Sequence, residues 1–508
     1  MSVLHVQNMN HGFGDRAIFE DVSFRLLKGE HVGLIGANGE GKSTFMNIIT
    51  GKLMPDEGKV TWSNKVRVGY MDQHTELNKD ESIKDVLRGA FKYLFDMEAE
   101  MNELYGRMGD MDEDEMNKAL ERTAIIQDTL DNNGFYVIDP KVEEVAAGLG
   151  LNGIGLDKDV INLSGGQRTK VLLAKLLLET PDILLLDEPT NYLDEEHIMW
   201  LKRYLNNYDN AFILISHDIP FLNDVINLIY HVDNRGLKRY VGDYDEFQRI
   251  YEANKKQVEA AFDKQQKEIA KLEDFVARNK ARVATSNMAK SRQKKLDKMD
   301  RIEVAEEKPK PTFDFRKGKT TGKMVFETTD LVIGYDEPLT KPLNLLMERG
   351  QKIALVGSNG LGKSTLLKSL MGLIQPISGA VELGYYQELG YFEQEIKGDN
   401  YRTCIDEIWE EFPSWTQYEV RSALARCGLM TKHIESSVQV LSGGEQAKVR
   451  LCKLINRDTN ILVLDEPTNH LDVDAKDELK RALKEYKGAI LLVCHEPEFY
   501  QDIVTEVW

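Results

Sequence analysis

Cysteine is scarce. There are four in 508 residues, Cys404, Cys427, Cys452 and Cys494, all in the second half and none in a CxxC spacing. That pattern argues against a structural zinc, an iron–sulfur cluster or a disulfide scaffold, and it fits a reducing cytoplasm. Long apolar runs are missing too: no stretch approaches the roughly 18 residues needed to span a bilayer. The opening MSVLHVQNMNHGF has no basic segment followed by an apolar one, so a signal peptide is not expected. Positive charge is in deficit, with 65 Lys and Arg against 84 Asp and Glu and a formal net charge of −19. Such a chain is not a general nucleic-acid coat, and any grip on phosphate backbones needs a local basic patch. The expectation is a soluble, intracellular chain. Its 42% hydrophobic and 29% charged residues suit globular cores, and its length suits about two to four domains.

The chain repeats itself. GANGEGKST at Gly36–Thr44 returns as GSNGLGKST at Gly357–Thr365, LSGGQ at Leu163–Gln167 as LSGGE at Leu441–Glu445, and LLLDEPTNYLD at Leu184–Asp194 as LVLDEPTNHLD at Leu462–Asp472. Lys42 and Lys363 stand 321 positions apart, as do Gln73 and Gln394. Ser164 and Ser442, Glu188 and Glu466, and His217 and His495 all stand 278 apart. The difference of 43 is an insertion in the first copy between Gln73 and Ser164. Residues 95–135 are its expected host, because Asp96–Asn133 is rich in Met, Glu, Leu and Ala and lacks proline, which reads as helices.

A second unduplicated piece separates the copies. Phe247, Ile250, Tyr251, Val258, Ala261 and Phe262, followed by Ile269, Leu272 and Phe275, recur at helical spacings and predict one long amphipathic helix. Met288, Leu296, Met299 and Ile302 give a shorter second stripe, so the piece reads as a helical hairpin turning near Val283–Asn287. Lys308–Lys323 reads as an extended, charge-solvated tether, because Pro309 and Pro311 exclude helix. The expected organisation is a first α/β domain over residues 1–242, a hairpin linker over 243–322 and a second α/β domain over 323–508.

Each copy sets a Gly-x-x-x-x-Gly-Lys-Ser loop between a short buried strand and a helix. Glycines in such a loop let backbone N–H groups face a phosphate, and the helix N-terminus adds positive potential. Gly36, Asn38, Gly39, Gly41, Lys42, Ser43 and Thr44 in the first copy, and Gly357, Asn359, Gly360, Gly362, Lys363, Ser364 and Thr365 in the second, are the expected cradle for ATP phosphates. The lysines would reach the β- and γ-phosphates, and Ser43 and Ser364 are expected Mg²⁺ ligands. Asp187 and Asp465 end apolar strands where a carboxylate can hold Mg²⁺. Glu188 and Glu466 follow them, where a carboxylate can polarise the attacking water; the bland alternative for these acids is helix capping. His217 and His495 each follow an apolar strand and are expected at the γ-phosphate. Gln73 and Gln394 end strands and suit a Mg²⁺ or water contact. Phe13 and Tyr335 precede their loops by similar distances, and stacking on adenine or simple core packing both remain open. Ser164, Gly165, Gly166 and Gln167, with Ser442, Gly443, Gly444 and Glu445, open a second anion-binding helix N-terminus in each copy. One copy alone has no use for two phosphate cradles.

In this order, and twice, these motifs resemble the Walker A, Q-loop, signature, Walker B, D-loop and switch-histidine elements of the ATP-binding cassette superfamily. The D-loop aspartates would be Asp194 and Asp472. The resemblance covers nearly all of the chain outside the insertion and linker. It implies a monomer whose two cassettes pair head to tail, with ATP at Lys42, Asp187 and Glu188 meeting Ser442–Gly444, and ATP at Lys363, Asp465 and Glu466 meeting Ser164–Gly166. Two competent sites hydrolysing ATP with Mg²⁺ are expected. Tyr192, where the second copy has His470, is a small departure beside the D-loop.

Two cassettes, no membrane domain and a basic helical linker are similar to the F subfamily. That resemblance implies binding to the ribosome at the exit-tRNA region, with the linker acting on P-site tRNA and the large-subunit rRNA of the peptidyl-transferase centre. It leaves housekeeping translation and protection from ribosome-targeting antibiotics both open. The insertion matches the family's arm, which approaches the ribosomal stalk. The charges agree: Arg278, Lys280, Arg282, Lys290, Arg292, Lys294, Lys295 and Lys298 face only Asp297 in residues 278–298. These residues suit RNA backbone contacts rather than base reading. The rival reading is the cytosolic ATPase subunit of a transporter with separate membrane subunits, in which a charged hairpin has no evident task.

Overall fold

A computed structural model of the chain describes residues 2–14, 16–37, 39–71, 81–191, 193–279, 286–299, 310–335, 337–357, 360–393, 400–469 and 471–508. Asn38, Gln73, Lys280, Arg282, Asn359 and Gln394 lie outside these residues, as do Tyr192, His470, the stretch 283–285 and Ile302.

Two lobes repeat one plan. In the first, the strands Val68–Tyr70, Ile183–Asp187, Ala211–Ile215, His31–Ile35 and Leu228–Asp233 lie side by side in parallel, with Gly236–Val241 added antiparallel at the edge. In the second, Leu389–Phe392, Ile461–Asp465, Ala489–Val493, Lys352–Leu355 and Glu506–Val507 form an all-parallel sheet. Strands buried on both faces read as unbroken apolar runs, as ILLL and AFILI do. A three-stranded antiparallel sheet packs on each: Arg16–Leu27, Ser2–Phe13 and Glu57–Trp62 in the first lobe, and Leu346–Glu348, Met324–Val332 and Ser378–Leu383 in the second. Apolar cores fill both faces of each parallel sheet, so the carboxyl ends of the strands are held firmly where ligands of such sheets bind.

The insertion forms the helices Lys92–Arg107 and Glu113–Asn132, joined by a two-pronged Arg122–Glu100 pair at 2.7 Å. The linker opens on a single helix, Tyr244–Asn279, of 36 residues. Its root is held by Phe247, buried in the first-lobe core among His231, Tyr240 and Tyr251. Further out it pairs with the helix Ser286–Asp297 through a small core of Ile269, Val276 and Leu296. Glu268 meets Lys295 at 2.8 Å and Phe275 lies under the Arg292 guanidinium at 3.7 Å, so the two helices run antiparallel. Between root and pair the stripe is bare, with Ile250 and Val258 exposed. Two expectations are corrected here. The second helix already begins at Ser286, and Met288 is exposed rather than part of its buried stripe.

The tether is also corrected. Its described part, from Lys310 on, has no helix, but it is no solvated strand of charge. Phe313 is wholly buried in the second-lobe core and Phe315 packs beside it. The backbone is tied down as well: Thr312 N–H donates to Arg426 O at 2.7 Å, Phe313 N–H to Glu478 Oε1 at 2.8 Å and Arg316 N–H to Ile455 O at 3.0 Å. Apolar burial outweighs the polar composition around it.

Candidate functional site

The glycine-rich loops close tightly on their own lysines. Lys42 Nζ donates to Gly36 O at 2.8 Å and Ala37 O at 3.3 Å, and Lys363 Nζ donates to Gly357 O at 2.6 Å. Gly41 sits at φ +104°, where an added Cβ would lie 2.5 Å from Ile18 Cγ2, so no larger residue fits that turn. The helices Lys42–Ile49 and Lys363–Leu370 start here with no side-chain cap, which leaves their first N–H groups pointing into the loop.

At the neighbouring strand ends, Ser43 Oγ donates to Asp187 Oδ2 at 3.0 Å, and Ser364 hydrogen-bonds Asp465 in the same way. Glu188 and Glu466 follow in left-handed backbone at φ +49° and +48°. That conformation is costly for glutamate, and its recurrence marks a position held by its surroundings. Glu188 N–H donates to Ile215 O and Glu466 N–H to Val493 O, and the helices that follow are capped by Asp194 and Asp472 instead of by these acids. Each faces its histidine: His217 Nε2 lies 3.6 Å from Glu188 Oε1, and His495 Nε2 lies 3.0 Å from Glu466 Oε1. Burial first, and then the adjacent Asp187 or Asp465, push both glutamic acids up to about 8. Burial, with the Lys363 charge behind it, pulls His495 down to about 4. Burial also lowers Lys42 and Lys363 against the pull of these carboxylates.

The lobes face each other through these sites. Asp472 lies within electrostatic reach of Lys42 and His217, and Asp194 within reach of Lys363 and His495. Both aspartates cap the helices that follow them, Asp472 accepting from Ala475 N–H at 3.0 Å and Asp194 from His197 N–H at 3.3 Å. Ser164 and Ser442 cap the helices Gly165–Glu179 and Gly443–Asn456, each with a reciprocal bond from its own N–H to Gln167 Oε1 or Glu445 Oε2. Glu445 is turned inward against His433 Nε2 at 3.1 Å. Gln167 Oε1 and Glu445 Oε2 are thus engaged in the caps at the two signature helices. Phe13 and Tyr335 are 53% and 67% exposed, which removes the core-packing alternative.

A family model described as ABC transporter matches residues 19–191 and 340–469, and a second with the same description matches 230–315. The uncharacterised ABC transporter ATP-binding protein YfmM of Bacillus subtilis (strain 168) is 73% identical over 508 residues, covering 100% of this chain and 98% of its own. ABC transporter F family member 2 of Arabidopsis thaliana is 35% identical, covering 100% of this chain and 76% of its own. The chain belongs to the ABC-F family. Like its family, this ABC-F protein is an ATPase. Among solved structures the RNase-L Inhibitor shares the tandem fold, with a TM-score of 0.56 at 20% identity over 99% of this chain and 87% of that one. Among the described residues no helix is long and apolar enough to cross a membrane.

The acids of this ABC-F chain suit a hard divalent cation. Asp465 Oδ1 and Glu188 Oε1 are buried without a hydrogen-bond partner among the described residues, and the Ser–Asp pairs add oxygen donors of the type Mg²⁺ takes. Several site residues escaped the sequence reading. Lys448 Nζ bridges Asp472 Oδ2 at 2.7 Å, tying the second signature helix to the aspartate that faces Lys42. Lys170 lies within reach of Asp194, Lys363 and His495. Their 278-residue spacing was a readable signal. His197 had no such signal, since Ala475 stands at the matching place. Its Nδ1 touches Asp194 Oδ1, so among the described residues the Lys363 site has a histidine behind its opposing aspartate where the Lys42 site has Ala475. Changing His197→Ala in a Glu188→Gln background is expected to slow turnover at the Lys363 site by about tenfold, since the ring packed on Asp194 fixes that carboxylate and a small misplacement at a site can cost up to about a hundredfold. The same change in a Glu466→Gln background should leave the Lys42 site unaltered. Single-turnover phosphate release compares the two.

Proposed function

We propose that this chain is an ATP-driven ribosome-binding factor whose hairpin linker contacts RNA, at the exit-tRNA region and toward P-site tRNA and the peptidyl-transferase rRNA. The two nucleotide sites lie, on this reading, at the facing surfaces of residues 1–242 and 323–508. Each ATP is held by one copy's phosphate loop and met by the other copy's signature helix at Ser442–Gly444 or Ser164–Gly166. Phe13 and Tyr335 offer faces to adenine. Ser43 and Asp187, and Ser364 and Asp465, hold Mg²⁺, which supplies charge neutralisation at the phosphates. Glu188 and Glu466 accept the proton of the attacking water, and His217 and His495 orient the departing phosphate end. Binding both nucleotides draws the lobes together, and hydrolysis lets them part.

One observation carries the RNA reading: an acidic chain concentrates cations on a paired helix between its lobes. Lys290, Lys294 and Lys298 are exposed and have no ion pair among the described residues, whereas Arg278 pairs with Asp274, Lys295 with Glu268, and Arg292 covers Phe275. Similarity of fold adds context. Solved neighbours at 20% identity are titled as an archaeal ribosome recycling factor with a ribosomal stalk protein, and as ribosome-bound ABCE1 with Pelota.

Charge reversal of Lys290, Lys294 and Lys298 to glutamate should reduce co-sedimentation with ribosomes at least tenfold. It should also flatten the salt dependence of binding by about 2 in log–log slope, near 0.7 for each phosphate no longer neutralised. ATP binding should be unchanged. Ribosome binding equal to that of the unaltered chain at every salt concentration would remove the hairpin from the proposal.

A further inference from the structure

The second lobe displays two tyrosines that folding does not explain. Tyr385 and Tyr386 are 80% and 78% exposed at the turn after the strand Ser378–Leu383. Tyr386 holds φ +59°, a left-handed backbone that is unfavourable for a bulky residue. The first copy makes the same turn, 321 residues earlier, with Asn64 and Lys65, and Lys65 holds φ +64°. Asparagine and lysine therefore satisfy the turn, and no burial compensates the tyrosines for their strain. An outlier of that kind points to use rather than to stability.

The surroundings say what use. Asn460 Nδ2 donates both to Lys319 O at 2.7 Å and to Tyr386 O at 2.8 Å, and Gly322 N–H donates to Tyr385 O at 3.1 Å. This stitches the segment 317–323 against the tyrosine turn. Arg349 joins from the other side, its N–H on Lys323 O at 2.8 Å and its Nη1 on Thr321 O at 3.2 Å. Lys317, Lys319, Lys323 and Arg349 are all exposed. Two acids answer them: Glu348 pairs with Lys323 at 3.2 Å, and Glu388 accepts from Lys319 N–H at 2.7 Å. The strip stays net positive on a chain of −19. Exposed aromatic faces beside cations are the chemistry that binds unpaired bases, by stacking, with phosphates held alongside.

We propose that Tyr385 and Tyr386, with Lys317, Lys319, Lys323 and Arg349, form a second RNA contact that stacks single-stranded bases. It rests on the RNA reading of the chain but not on the hairpin. The experiment uses the full chain, a labelled single-stranded RNA 12-mer read by fluorescence anisotropy, and ribosome sedimentation in parallel. Tyr385→Ala with Tyr386→Ala should weaken 12-mer binding about a hundredfold or more, since each of the two stacked bases contributes roughly tenfold or more. Tyr385→Phe with Tyr386→Phe should bind as the unaltered chain does, and basal ATPase and the thermal midpoint should not fall in either variant. Equal binding by the alanine variant overturns the inference. So does an unaltered chain that ignores the 12-mer while the alanine change still lowers sedimentation, which would mark a protein-docking face. If no variant sediments with ribosomes, the ribosomal function fails, but loss of 12-mer binding in the alanine variant still supports the tyrosine surface.

Discussion

Exchanging Glu188 and Glu466 together for glutamine is expected to lower ATP turnover by about 10²- to 10⁴-fold while nucleotide stays bound, the range that removal of a general base produces. Glutamine fills the same space and accepts hydrogen bonds but cannot take a proton. Both acids stand at the carboxyl end of a parallel strand beside a histidine, buried, and pushed up to about 8. A base must be ionised to act, so kcat/KM of the unaltered chain should climb with pH toward about 8. Stability runs the other way. The ordinary glutamate value is 4.5, and below it these carboxyls are protonated in folded and unfolded chain alike. Between 4.5 and about 8 the folded chain keeps protons that the unfolded chain releases, so stability declines as pH rises through that window. The glutamine pair should flatten that decline, visible as a thermal midpoint that holds steadier from pH 5 to 8. Phosphate release and melting curves across pH check both limbs. Turnover within threefold of the unaltered chain would refute the assignment of these acids.

Phe313→Ala should cost about 3–5 kcal/mol by the loss of a fully buried ring and the cavity left behind. The ring is wholly buried in the second-lobe core, and its peptide is clasped by Glu478 Oε1 at 2.8 Å and by Arg481 Nη2 on Phe313 O at 3.0 Å. Arg481 also pairs with Glu478 at 2.7 Å, so removing the ring loosens the clasp as well. Urea unfolding followed by circular dichroism measures the cost. A loss under about 1 kcal/mol would mean the segment rests on the lobe without supporting it.

Much of this molecule was legible in the chain. The duplicated offsets, the apolar strands ending in Asp-Glu and the glycine loops all report local demands on the backbone, and a sequence records local demands directly. The long helix was readable from its apolar spacing. What stayed hidden depends on partners distant in sequence. Phe313 looked like one aromatic among prolines and lysines, because the groove that takes it is assembled from helices more than a hundred residues away. The bare middle of the Tyr244–Asn279 stripe could not be foreseen, since spacing tells which residues share a face but not what covers it. His197 and Ala475 break the duplication where one lobe meets the other, and only the paired geometry gives that break a meaning.

The helix Tyr244–Asn279 has 36 residues, and at 1.5 Å per residue it is a rod of about 54 Å. It is clamped at its base to the first lobe by Phe247 and doubled near its far end by Ser286–Asp297. A rod so mounted converts angle into travel: tilting its base by about 10° moves its end by roughly 9 Å. A tilt of that size at the base thus becomes, at the far end, a displacement on the scale of a whole nucleotide. The bare middle stretch is where the stiffness of that lever can be tuned without touching either end.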